Sequence, residues 1–180
     1  MCLSWTGREK VKTKESFLIS LLLVFILVIL QSTLLYFTVS KIVIPDFALI
    51  VVAFCGARRD VQSGQILGFF NGLAEDFMTA SFPGFNALIK TIIGFLAGTI
   101  KNKMLFDPVI FPSLFIFFVT LLKGTLAAVT AYLFFPEGYF PAVFSSGFLM
   151  EIVLNSLFAP IIYLILKKTH LIPYDIWGGK

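Results

Sequence analysis

Six apolar runs, each closed by turn residues or by Lys and Arg, divide the sequence at about 16–38, 42–57, 61–79, 83–100, 108–135 and 142–166. Most of them reach the length of about 20 residues that a helix needs to cross a bilayer core. The pattern predicts an all-α integral membrane protein: a six-transmembrane-helix bundle forming one domain over residues 1–180. Pro45 and Asp46 fall at the start of the second run, where a first helical turn tolerates proline because the missing donor is not needed. Arg58, Arg59 and Asp60 make so short a connection that the second and third spans must be antiparallel neighbours. Pro83 and Gly84 read as the turn into the fourth span. Pro108 and Pro112 lie in the first turns of the fifth, Pro136 to Pro141 form a loop, and Pro160 predicts a kink in the sixth.

The third run, GQILGFFNGLAEDFM from Gly64 to Met78, is the most informative. At about 100° per residue, Gly64, Gln65, Gly68, Asn71, Gly72, Glu75 and Asp76 share an arc of roughly 140°. Ile66, Leu67, Phe69, Phe70, Leu73, Phe77 and Met78 occupy the rest. With apolar sequence on every side, the bulky arc should meet lipid and the small, polar arc should meet other helices. Span four carries a matching row, Asn86, Lys90, Gly94 and Gly98, spaced by four. The two rows are expected to face each other at least in part. Gly64, Gly68 and Gly72, with Gly94 and Gly98, make small-xxx-small motifs that let another backbone approach closely. They suit either helix contacts inside the bundle or a groove for a partner's transmembrane helix.

Composition agrees with this class. Apolar residues make up 58% of the chain and charged residues 13%, against about a quarter charged in soluble proteins. The net charge of +4 is spread over the ends of the apolar runs and does not point to nucleic acid. Cys2 and Cys55 are too few for a disulfide framework and read as reduced thiols. The basic opening segment followed by an apolar run has the look of a signal peptide. Its apolar part extends to Phe37, however, and the cleavage signal around Ser40 is weak, so an uncleaved first span is expected.

Topology follows from the flanking charges. Six spans with both termini cytoplasmic put Arg8, Lys10, Lys12, Lys14, Arg58, Arg59, Lys101, Lys103, Lys167, Lys168 and Lys180 inside and Lys41 alone outside, as the positive-inside rule requires. Five spans would place Lys167 and Lys168 outside. Arg58, Arg59 and the basic amino-terminal segment are then available to cytoplasmic partners or anionic lipid.

Asp46, Glu75, Asp76, Lys90, Lys123 and Glu151 lie within or near the spans, where a central charge costs about 2.5 to 3.5 kcal/mol on insertion scales. They should face one another. At about 1.5 Å per residue, Lys123 and Glu151 fall at similar depths, and Lys90 falls within reach of Glu75 or Asp76. Both pairings are expected. Asn155 and Thr120 add polarity around Lys123 and Glu151, giving a polar core suited to helix contacts or to a modest pocket. Enzyme chemistry finds little support: His170 is the one histidine, no cluster has metal-ligand spacing, and no nucleophile elbow or phosphate loop is present. Asp46, Glu75 and Asp76 could in principle hold a divalent cation, but no motif requires it. No enzyme activity, cofactor or metal is expected.

Pro45-Asp46 opening span two, the short basic turn, and then Gly64, Gly68, Gly72, Asp76, Gly84, Ala87-Leu88 and Gly94 together resemble the rod shape-determining protein MreD family. The resemblance implies a non-enzymatic, multi-pass protein of the bacterial inner membrane that acts in cell-wall elongation. It implies binding to a single-span MreC-like protein and a link, direct or indirect, between MreB filaments and the wall synthases. Lys90, Lys123 and Glu75 stand outside the pattern, and the resemblance gives them no role. A rival from another class also fits a small bundle with glycine-rich helices, since the chain is similar in outline to substrate-binding subunits of energy-coupling-factor vitamin transporters. Such a subunit needs an outward-facing pocket, which Asp46, Glu75, Asp76 and Asn86 could line.

Overall fold

A computed structural model describes residues 18–23, 25–31, 43, 45–79, 82–100, 109–134 and 145–168. The sequence features at Cys2, Lys41, Lys101, Lys103, Pro108, the 136–141 loop and His170 lie outside the described residues. The described chain forms helices and no strand. In order they are α1 (Leu18–Gln31), α2 (Phe47–Arg58), α3 (Val61–Met78), α4 (Phe85–Thr99), α5 (Ile110–Phe134) and α6 (Ser146–Lys168). Of these, α5 and α6 are long and apolar enough to cross a membrane.

The second helix is the post around which the others stand. Every residue from Ala48 to Ala57 is buried, so α2 has no outward face at all. It is also short: 12 residues rise about 18 Å, well under the ~30 Å of a bilayer core. The reason lies at its start. Pro45 does not enter the first turn; Asp46 is the N-cap, its Oδ1 accepting from the Leu49 N–H at 2.9 Å. The helix therefore begins at Phe47, later than the apolar run that opens at residue 42.

Asp60 caps α3 in the same way, accepting from the Ser63 N–H at 2.7 Å. Along α3, Gly64, Gly68, Asn71, Gly72 and Asp76 are buried, while Ile66, Phe69, Phe70, Phe77 and Met78 are exposed. Leu67, on the bulky arc, is nevertheless fully buried. The turn into α4 uses Gly84 at φ 94°, a left-handed conformation that costs glycine nothing. Pro83 stays in this turn, so α4 starts at Phe85.

The antiparallel α3–α4 hairpin is knitted backbone to backbone. A Cβ on Gly72 would strike Asn86 and Ala87, one on Gly68 would strike the Lys90 carbonyl, one on Gly64 would strike Gly94, and one on Gly98 would strike Val61. Each step of four on α3 meets a step of four on α4. Gly56 of α2 joins the same contact: a Cβ there would lie 3.0 Å from the Gly94 carbonyl oxygen and 3.3 Å from Ala97 Cβ. Small residues thus bring α2, α3 and α4 into one body, gaining dispersion contacts where lipid gives no hydrophobic drive between helices.

The second hairpin, α5–α6, closes where Gly124 makes room for the Phe148 ring. It lies against α2 through aromatic contacts, Phe54 with Phe115 (5.9 Å between centroids) and Tyr163 (5.4 Å), and Phe47 edge-on to Phe158 (5.5 Å). Between the hairpins only α4 and α5 approach; the α3 backbone comes close to neither α5 nor α6.

Candidate functional site

Asp46 ends up at the junction of both hairpins because it caps a buried helix. Its carboxylate meets Lys90 of α4 at 3.1 Å and Lys123 of α5 at 2.8 Å. Lys90 is also paired with Glu75 of α3, and Lys123 with Glu151 of α6 at 2.8 Å. The result is an alternating chain of charges, Glu75, Lys90, Asp46, Lys123 and Glu151, that touches every helix from α2 to α6. Its centre is buried, with the Lys90 and Asp46 side chains 1% and 2% exposed. Its ends are more exposed, at 18% for Lys123, 19% for Glu151 and 20% for Glu75.

Neutral groups complete the chain. Asn155 Oδ1 accepts the Asp46 N–H at 2.8 Å, and its Nδ2 donates to Thr120 Oγ1 at 3.2 Å. Lys90 donates to Asn71 Oδ1 at 2.8 Å. That bond fixes the Asn71 amide and leaves its buried Nδ2 without a hydrogen-bond partner among the described residues. Three carboxylates face two ammonium groups, and Asp46, between the two lysines, also sits at the α2 N-terminus. There the aligned peptide dipoles present roughly half a positive charge. Pairing of this quality offsets a desolvation cost that would otherwise reach several kcal/mol per ion.

The two acids at the end of α3 have separate duties. Glu75 enters the charge chain, whereas Asp76 turns to the first turn of α4. Its Oδ2 accepts the Gly84 N–H (2.9 Å) and the Ala87 N–H (3.3 Å), and its Oδ1 accepts from the Asn86 backbone (3.0 Å) and amide (2.9 Å). A carboxylate at a helix N-terminus satisfies donors that have no intrahelical partner.

The two arginines of the α2–α3 turn fold back onto the bundle. Arg59 is only 6% exposed, and its Nη2 donates to Ser20 Oγ of α1 at 3.3 Å. Arg58 donates to the Tyr163 hydroxyl and stands over that ring, 5.4 Å from its centroid. Arg59 is thus held against the bundle, with its guanidinium on Ser20 of α1. These contacts gather the start of α1, the turn from α2 to α3, and the α6 end with Lys167 and Lys168 at one pole. Cys55 is a buried free thiol nearby.

Several participants carry no strong sequence signal. Gly56 lies in a run of other small residues, and Tyr163 and Ser20 look like ordinary members of apolar spans. Asn71 could be read from its place on the α3 arc. Among the described residues, no group of three or more His, Cys, Asp or Glu side chains is arranged to hold a metal ion.

Fold and site together define a class, a small helical bundle of membrane character whose interior ions join its helices to one another. The chain belongs to the rod shape-determining protein MreD family, whose family model matches residues 12–169. Membership places it among membrane proteins with a role in rod-shape determination. No curated protein and no solved structure matches it.

Proposed function

We propose that this chain is a non-enzymatic scaffold of the bacterial wall-elongation machinery. It spans the cytoplasmic membrane six times, keeps both termini in the cytoplasm, and binds a single-span MreC-like protein. Through that partner it helps to connect MreB filaments with the enzymes that build peptidoglycan. The observation that carries this reading is the family match across residues 12–169. It also favours the shape-determining role over vitamin transport.

Two physical features support the reading. The interior ions are engaged with one another and with helix ends, which suits a structural connector more than a reaction centre. The pole that collects Arg58, Arg59, Lys167 and Lys168 has the charge expected of a cytoplasmic face. The α3 and α4 glycines meet each other's backbones, so the partner's helix is expected on outward-facing side chains instead.

Co-purification from the native host tests the partner. A tagged copy should bring down a single-span MreC-like protein. Thermal stabilisation by a vitamin, with no such partner recovered, would favour transport instead.

A further inference from the structure

The five charges divide unevenly between two bodies. The first body, α2 with α3 and α4, is held by backbone contacts at Gly56, Gly64, Gly68, Gly72 and Gly94, none of which can loosen by a side-chain rotation. It contains Glu75, Lys90 and Asp46. The second, α5 with α6, contains Lys123 and Glu151. Side chains join the two: the aromatic contacts at Phe47 and Phe54, the Arg58–Tyr163 contact, the Asn155–Asp46 bond and the Lys123–Asp46 ion pair.

Lys123 is bonded equally to both bodies, at 2.8 Å to Asp46 and 2.8 Å to Glu151. If the bodies part at this end, Lys123 keeps Glu151 and Asp46 keeps Lys90. No ion loses its last partner, and Asp46 still caps α2 through Leu49. Breaking a buried pair is ordinarily prohibitive because one charge is left alone; here that penalty does not arise. The partly exposed rim of Glu75, Lys123 and Glu151 lies where such parting would begin.

We infer that Lys123 and Asp46 form a releasable latch, and that the α5–α6 hairpin swings as a unit against the rigid α2–α3–α4 body. Glu151 is the competing partner that holds Lys123 when the latch is open. The two carboxylates bonded to one lysine therefore have opposite effects on the same motion. Asp46→Asn favours the open arrangement, and Glu151→Gln favours the closed one.

Spin labels test this on the full chain in lipid nanodiscs. Cys2→Ser and Cys55→Ala remove the native thiols, and Leu88→Cys on α4 and Met150→Cys on α6 introduce exposed labelling sites, one on each body. Asp46→Asn should populate a longer distance than the parent, and Lys123→Met should do the same should Asp46→Asn fail to fold. Glu151→Gln should narrow the distribution at the shorter distance. The inference is overturned if the folded variants keep the parent distribution, or if the Asp46 and Glu151 variants shift it in the same direction.

Discussion

Gly68 of α3 lies so close to Lys90 of α4 that a Cβ on the glycine would overlap the lysine's carbonyl oxygen. The obstacle is backbone, which cannot rotate away. Gly68→Ala is expected to force the hairpin apart locally and to cost about 1 to 3 kcal/mol, the usual range for overpacking. Gly68→Leu should prevent folding. Thermal unfolding in detergent checks the first and membrane yield the second; Gly84→Ala is a useful contrast, since among the described residues nothing beyond its chain neighbours lies within 4 Å of its added Cβ and the φ of 94° is what is strained.

Asp76 performs for α4 what a local N-cap performs elsewhere, from the end of the preceding helix. Asp76→Ala removes acceptors from the Gly84, Asn86 and Ala87 N–H groups at once. A loss of about 2 to 3 kcal/mol is expected, as for hydrogen bonds to a charged group. Asp76→Asn keeps one acceptor and should cost less. The order of the two variants in unfolding temperature is the check, and equal values would mean that the neutral acceptor kept by asparagine contributes nothing.

A charge exchange between Lys123 and Glu151 separates the simple pair from the chain of charges. Lys123→Glu alone and Glu151→Lys alone should both destabilise, and the double exchange should recover only part of the loss. The carboxylate placed at 123 would stand where Lys123 now meets Asp46, so the exchange repairs one contact and makes another repulsive. Adding Asp46→Asn should improve the double exchange while harming the parent. Full recovery without it would show that Asp46 is not coupled to Lys123.

At the opposite pole, Tyr163→Phe keeps the ring over which Arg58 stands and removes the hydroxyl that accepts its N–H. A cost of about 1 kcal/mol is expected for the hydrogen bond. Arg58→Ala should cost more, because the cation–π contact adds about 0.5 to 1 kcal/mol. Unfolding of the two single variants and the double variant gives the coupling directly.

How much of this the sequence carried depends on the element. The α3 arc and the α4 row were legible because glycine and polar spacing by four is a property of one helix, and two such rows joined by a short turn have few ways to meet. Depth arithmetic brought Lys123 to Glu151 and offered Lys90 both Glu75 and Asp76. Choosing between those acids required the local turn: Gly84 directs three amide protons at Asp76, and only Glu75 remains. The convergence of both lysines on Asp46 was not legible, because it follows from where α2 begins. Pro45 before the cap shortens that helix and lowers Asp46 into the bundle. The Arg59–Ser20 contact was not legible for a similar reason, since a basic turn normally projects into water, and only the backbone path carries this one back to Ser20.

Depletion of the protein in its native host, followed by microscopy of cell shape and of sites of new wall synthesis, tests the central claim most directly. The account predicts that rods widen and round up as wall insertion along the cylinder fails, and that the wild-type copy restores them while Gly68→Leu does not. Cells that keep normal shape and normal lateral wall growth after complete loss of the protein would contradict it.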